Sequence, residues 1–214
     1  MDKKIIFLIL CSFLIIGYIA VLKKDQLETY KKRRNFTKSP EPSGKKEKTK
    51  GKNIFVIQKH AATRLHYDFR LEIDGVLASW AIPKGPSLDP KEKRLAIRTD
   101  DHPLDYAKFE GVIPEGNYGA GTVMVWDIGT YRNIKEKDGK SIPLEKCLKN
   151  GQIEVWLEGK KLKGGYALIK MKREGQWLLI KMKDDFADAR RNPVNTQTES
   201  ALTGKTMNQI AKDE

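Results

Sequence analysis

Cysteine is nearly absent: the 214 residues hold two, Cys11 and Cys147. The first lies in an apolar stretch and the second in a lysine-rich one, which excludes a disulfide framework and a zinc ribbon. Histidine is almost as scarce, with three residues, His60, His66 and His102. A chain that places imidazole only here, beside acids and arginines, points to a metal or to proton transfer. Internal repeats are missing, and so is a P-loop. Gly204-Lys205-Thr206 lacks its upstream glycine, and no Lys-Ser/Thr pair follows the glycine-rich segment 111–121. Those glycines are expected to supply positive φ in a sharp turn. Lys135-Glu136-Lys137-Asp138-Gly139 is out of step with the lysine-x-aspartate-glycine signature of nucleotidyl-transferring ligases and reads as a charged turn.

Positive charge is plentiful. Lysine and arginine number 41 against 28 acids, a formal net charge of +13. The first 24 residues contribute little of this, so the remainder is basic in its own right. That balance fits either a lysine-rich solvated surface or a polyanion partner such as a nucleic-acid backbone. Residues 5–22 carry no charge and just reach the length of a membrane-spanning helix. The cationic residues after them (Lys23, Lys24, Lys31, Lys32, Arg33, Arg34) would keep the rest on the cytoplasmic side, tethered to the inner membrane by a single helix. A start site placed too early is the other reading of this leader.

Four segments are expected: a leader over 1–24, a basic arm and flexible linker over 25–53, a catalytic β-domain over 54–184 and a polar tail over 185–214. Within the arm, 25–34 suits a short basic helix, and 37–53 is Pro, Gly, Ser and Lys without an apolar residue. From Ile54 onward short alternating runs predict strands at 55–57, 65–73, 76–82, 94–99, 122–126, 152–157, 166–171 and 177–182. Asp74-Gly75 marks a hairpin turn. Such spacing argues an all-β fold, an antiparallel barrel or sandwich. In the tail, Met207, Ile210 and Ala211 suit one docked helical turn.

The strand beginning at Leu65 carries the chemistry. Alternation puts Leu65, Tyr67, Phe69, Leu71 and Ile73 on one face and His66, Asp68, Arg70, Glu72 and Asp74 on the other. His66 and Asp68 converge on one point, and His60 from the preceding segment completes a three-ligand set. Such a set leaves positions open for water and substrate, as a catalytic Mn, Zn or Fe site requires. Arg70, Lys84 and Arg94 add cations suited to an anionic substrate. In Asp101-His102-Pro103-Leu104-Asp105-Tyr106 the proline holds its predecessor extended, so His102 is presented rather than buried in a helix. It suits a fourth metal ligand, a phosphate donor or a general acid, and Tyr106 adds a hydroxyl.

The strings R-N-F-T-K-S-P-E-P, Q-K-H-A-A-T-R-L-H-Y-D-F-R-L-E-I-D-G, D-D-H-P-L-D-Y and E-G-V-I-P-E-G-N-Y-G-A-G-T-V-M-V-W-D carry a resemblance spanning about residues 34–183. They resemble the 3′-phosphoesterase domain of bacterial DNA ligase D. The resemblance implies a small antiparallel β-barrel with a manganese site, Co²⁺ or Zn²⁺ being alternative ions. It implies His60, His66 and Asp68 as ligands, with Arg70, His102 and Tyr106 at the phosphate. Lys84, Arg94 and Gln58 would support them, while Arg34 and Glu41 in the arm would help remove a 3′-terminal ribonucleotide. The implied activity is removal of a 3′-phosphate from DNA ends, on a primer-template or duplex, during non-homologous end joining. Separate end-joining ligase, polymerase or end-binding proteins would be partners of a monomer. Two positions depart from the family pattern: Asn35 where members carry Asp, and Asp100 where they carry Glu. Two other classes remain open, a non-catalytic DNA-end-binding adaptor and a two-histidine, one-carboxylate iron oxygenase.

Overall fold

The computed structural model describes residues 25–44 and 53–213. The apolar run 5–22, with the expected leader helix and membrane anchor, lies outside them. Among the described residues no helix is long and apolar enough to cross a membrane.

The strands are β1 (Ile54–Ala61), β2 (Leu65–Ile73), β3 (Val76–Ile82), β4 (Lys93–Arg98), β5 (Gly111–Ile113), β6 (Gly121–Asn133), β7 (Glu136–Lys137), β8 (Lys140–Ser141), β9 (Gln152–Gly159), β10 (Lys163–Lys170) and β11 (Gln176–Lys181). Pairing runs β1-β2-β3-β4-β11-β10-β9-β6, and β6 returns to β1, so these eight strands close an antiparallel barrel. Closure removes the sheet edges and decides for the barrel over the sandwich. β5 adds to β6, and β7 with β8 forms a separate ribbon, whose turn is the expected charged one at Asp138-Gly139. Among the described residues four short helices accompany the barrel: α1 (Glu28–Lys32), α2 (Leu144–Asn150), α3 (Pro193–Thr196) and α4 (Met207–Ile210). A 3₁₀ turn spans Leu104–Lys108. Asp74 (φ 50°) and Gly75 (φ 82°) both have positive φ, the geometry of a tight hairpin whose twist matches its strands.

Alternate side chains fall into two apolar layers. Phe55, Ile57, Tyr67, Phe69, Leu71, Ala78, Trp80, Ile82, Met124 and Trp126 fill the barrel interior. Their neighbours Val56, Leu77, Val123 and Val125 point outward and form a second cluster with Tyr30, Tyr106, Phe109 and Ile113. The outer face of β1, β2, β3 and β6 is therefore covered, and β2 is buried on both faces over almost its whole length. The exception is Leu65, which is 51% exposed. It stands at the first position of its strand, beyond the reach of the interior packing its parity predicts.

The cover includes the arm. Tyr30, Ser39 and Glu41 are buried, and the Tyr30 hydroxyl donates to the Pro42 carbonyl at 2.5 Å. Residues 37–44 are thus packed chain rather than flexible linker, because Glu41 and Tyr30 find partners on the barrel. The tail likewise packs on the barrel: the Trp126 indole N–H donates to the Gln197 carbonyl at 2.6 Å, and Ile210 of α4 joins the interior core as expected. Register slips between Ile57 and Gln58 where β1 meets β6. This β-bulge sends both Trp126 and Asp127 inward, where Asp127 accepts from the backbone N–H groups of Ile128, Lys160, Lys161 and Leu162 at 2.9–3.0 Å. Bulges of this kind re-aim the side chains beside them, and the next residue along β1 is Gln58.

Candidate active site

The β1–β2 register sets His60 directly opposite His66 and Gln58 opposite Asp68. All four side chains leave the outer face. One ligand atom from each of His60, His66 and Asp68 lies within 4.8 Å of the others. The tautomers follow from the partners. His60 Nε2 donates to the Gly119 carbonyl at 2.9 Å, which leaves Nδ1 as a lone pair 3.7 Å from Asp68 Oδ2. His66 Nδ1 donates to the Arg64 carbonyl at 2.9 Å, leaving Nε2 3.8 Å from Asp68 Oδ1. Outer-sphere carbonyls of this kind fix ring orientation in metal sites. Burial alone would raise the Asp68 pKa, but the charge of Arg70 leads the effects that outweigh it and hold the carboxyl well below the usual range. Two imidazole lone pairs and an ionised carboxylate converging on one point fit a divalent transition metal.

Behind this set lies a cationic shell. Arg70 Nη2 donates to Asp68 at 3.0 Å and its Nε donates to Gln58 Oε1 at 2.7 Å. Gln58 is anchored in turn by the carbonyls of Tyr106 and Phe109, each at 3.0 Å. His102 is held against β3 by two backbone bonds to Leu77. β4 leaves that stretch of β3 free, pairing only at Trp80 and Ala81. His102 Nδ1 lies 2.8 Å from the Asp100 carbonyl and 3.0 Å from Arg70 Nη1, and Nε2 faces Arg34 Nη2 at 3.1 Å. Burial, then Arg70 and Arg34, push its pKa well down, and the ring is a neutral acceptor. The proline does hold His102 extended, but the arm covers it, so it is buried rather than presented.

Arg34 Nε donates to Glu41 Oε1 at 2.8 Å, and the Tyr106 hydroxyl donates to the same oxygen at 3.1 Å. Burial, then Glu41, raise the Tyr106 pKa well above the phenol range, so it stays a protonated donor. The whole arrangement surrounds a cavity of about 270 Å³ lined by Arg34, His60, His66, Asp68, Arg70 and His102 among others. It offers a metal position next to a pocket for a compact anion.

A family model described as the DNA ligase D 3′-phosphoesterase domain matches residues 58–170. The chain is also 45% identical over 189 residues to the multifunctional non-homologous end joining protein LigD of Pseudomonas aeruginosa, covering 85% of this chain and 22% of that protein. LigD of Mycolicibacterium smegmatis is 46% identical over 161 residues, 75% of this chain and 21% of the relative. The multifunctional non-homologous end joining DNA repair protein LigD of Mycobacterium tuberculosis is 45% identical over 161 residues, 75% of this chain and 20% of the relative.

This chain belongs to the DNA ligase D 3′-phosphoesterase domain family. It spans about a fifth of the length of those LigD relatives.

Most of the site residues read from the sequence of this phosphoesterase domain come together. His60, His66, Asp68, Arg70, His102 and Tyr106 line one cavity with Arg34, and Gln58 and Glu41 lie buried behind it. Lys84 and Arg94 are placed elsewhere, around a different depression with Pro83, Glu92, Lys93 and Leu95, and Arg94 pairs with Glu92 at 2.5 Å. Of the two departures, Asp100 lines the cavity and receives Arg33 at 3.1 Å. Asn35 turns into the arm, accepting from the Thr37 hydroxyl at 2.7 Å. The Gly119 carbonyl and Arg33 were not among the expected site residues. The cluster of glycines with positive φ (Gly116 and Gly119, both 80°) was the signal for the first, and nothing local marks the second.

Proposed function

We propose that this phosphoesterase domain removes the 3′-phosphate from DNA ends in a divalent-metal-dependent reaction, leaving a 3′-hydroxyl for polymerase or ligase. One observation carries the reading: the three converging ligand atoms share a cavity with two buried arginines and a neutral histidine. The family and the end-joining relatives support it. Mn²⁺ is the ion this reading assigns, with Co²⁺ and Zn²⁺ as competitors. Held by His60, His66 and Asp68, such an ion supplies Lewis-acid polarisation of a phosphoryl oxygen.

The remaining work falls to the chain's own groups. Arg70 and Arg34 offer N–H groups toward the cavity that stabilise negative charge developing on the phosphoryl oxygens in a water-poor setting. His102 Nδ1 is enclosed by the Asp100 carbonyl and Arg70, which makes Nε2, facing Arg34, the atom assigned to meet substrate. A phosphate dianion that draws Arg34 away would leave Nε2 free to take up a proton from solvent, which His102 would pass to the departing 3′ oxygen as water attacks phosphorus. Gln58 holds Arg70 in register, and Tyr106 holds Glu41, hence Arg34. Removal of a 3′-terminal ribonucleotide belongs to the same proposal, with Arg34 and Glu41 as the arm residues serving it. The basic surface would track the DNA backbone without reading sequence.

The test is a duplex bearing a 3′-phosphate, incubated with the protein and Mn²⁺ or EDTA, beside His66→Ala. Metal-dependent conversion to 3′-hydroxyl that the variant loses supports the reading. Metal-loaded, folded protein that binds the end and releases no phosphate sinks it in favour of an end-binding adaptor. Turnover of a 2-oxo acid with bound iron would instead mark an oxygenase.

A further inference from the structure

Tyr118 is a large side chain left 49% exposed, and it lines the same cavity as His60, His66 and Asp68. Two turns shape its loop: Asn117 N–H donates to the Pro114 carbonyl and Ala120 N–H to the Asn117 carbonyl, at 3.2 and 3.1 Å. The next residue, Gly119, supplies the carbonyl that orients His60. Consecutive Cα atoms lie about 3.8 Å apart, so the backbone that carries the ring is adjacent to the ligand set. Two guanidinium groups flank it, Arg33 at 5.0 Å and Arg34 at 5.4 Å from the ring centroid. Arg33 Nη1 also donates to the Tyr118 hydroxyl at 3.1 Å and is tied to Asp100. A half-exposed aromatic side chain with adjacent arginines is the chemistry that binds unpaired nucleic-acid ends, through base stacking and cation–π attraction. The arrangement also has a plain alternative, a latch in which the hydroxyl pins Arg33 and so the arm.

We propose that Tyr118 is a positioning residue on whose ring the terminal nucleobase stacks when the 3′ end enters the cavity. The inference rests on the proposed 3′-phosphoesterase activity. It makes recognition depend on a base at the last nucleotide while remaining tolerant of which base it is, since every base has a π-face.

The experiment uses the full chain and a DNA end whose last nucleotide is 2-aminopurine carrying a 3′-phosphate. Fluorescence is read in EDTA and phosphate release is read with Mn²⁺. Wild type and Tyr118→Phe should quench the fluorophore, whereas Tyr118→Ala should not. Tyr118→Ala should raise KM about tenfold or more with kcat nearly unchanged. On an end whose last sugar lacks a base, wild type should already show the higher KM and Tyr118→Ala should add nothing. If Tyr118→Phe is as defective as Tyr118→Ala, the hydroxyl latch is the role and stacking is overturned. An equal Tyr118→Ala penalty on base-free ends overturns it too. Quenching by wild type without phosphate release would leave stacking standing and overturn the phosphoesterase reading instead.

Discussion

Arg34 Nη2 lies 3.1 Å from His102 Nε2, although 68 positions separate the two residues. The contact is one link in a buried chain running His102–Arg34–Glu41–Tyr106. Two of its members come from the arm and two from the segment that starts at the Asp-His-Pro turn. The arm therefore forms one wall of the site and also stacks its Arg34 guanidinium 3.9 Å from the Tyr30 ring centroid. Arm and barrel are coupled through charge as much as through apolar packing.

Arg34→Ala should release the arm while leaving the barrel folded. The side chains of Arg34 and Glu41 are 4% and 0% exposed, and removing one partner of such a pair leaves a buried charge that costs about 3–5 kcal/mol. Undocking the arm returns Glu41 to water and relieves that cost, so the arm should undock instead of the barrel unfolding. Hydrogen exchange should rise over 28–44 and stay unchanged in β2 and β6, with phosphate release down about 100-fold. The double substitution Arg34→Met/Glu41→Leu should restore arm protection but not activity. Recovery of activity by the double variant would show that Arg34 acts only by holding the arm.

What local pattern encodes was legible, and what distance encodes was not. Period-two alternation in β2 and the Asp74-Gly75 turn predicted both strand limits there and the grouping of His66, Asp68 and Arg70 on one face. The barrel interior follows from the same alternation in β3 and β11. Resemblance, not periodicity, brought Arg34, Glu41 and Gln58 to the site, because their roles depend on contacts with residues 102 and 106 that no short window contains. The same limit applies to Lys84 and Arg94. Their charge suited a phosphate, yet Lys84 in the loop after β3 and Arg94 on β4 stand around a depression shared with Glu92. The three-residue strand β5 and the helix α2 were too short or too polar to stand out.

Metal should stabilise the native protein, and the gain should vanish with the ligands. A ligand bound only by the folded state adds about 2.7 kcal/mol at a hundredfold excess over Kd. Mn²⁺ should therefore raise the thermal midpoint of wild type by several degrees over EDTA, and of Arg70→Lys nearly as much. His66→Ala and Asp68→Asn should show no shift. Calorimetry with and without Mn²⁺ makes the comparison, and an undiminished shift in both ligand variants would move the metal elsewhere.

Stability should fall on mild acidification through His102. Its folded pKa is depressed well below the ordinary 6.5 by burial and by Arg70 and Arg34. Below that ordinary value the unfolded chain takes up a proton the native chain refuses. Native stability then declines as pH drops, by about 1.4 kcal/mol per pH unit for one proton. Asp68 acts lower on the scale: its folded pKa is depressed, so its contribution holds above the ordinary 3.8 and is lost as pH falls below it. Urea midpoints taken from about pH 7.5 to about pH 5 should fall for wild type and stay nearly flat for His102→Gln. Equal slopes in the two proteins would show that His102 is protonated in the native state.

Gly121 should be the least replaceable residue of the glycine-rich loop. Its φ of 134° lies in the region that favours glycine, and an added Cβ would sit 2.3 Å from the Ala61 carbonyl oxygen and 2.9 Å from the Ala62 Cα. Those atoms are backbone and cannot rotate away, so relief requires parting β1 from β6 where His60 faces Val123. Gly121→Ala should cost at least about 1–3 kcal/mol, and because His60 moves with the strand it should also weaken Mn²⁺ binding. Gly116 supplies the control. Its φ is 80° but no atom lies within 4 Å of an added Cβ, so Gly116→Ala should cost about 1–2 kcal/mol of backbone strain and leave metal affinity unchanged. Thermal midpoints with Mn²⁺ titration of both variants separate the two effects, and equal metal affinity in both would mean that the β1–β6 junction does not hold His60 in place.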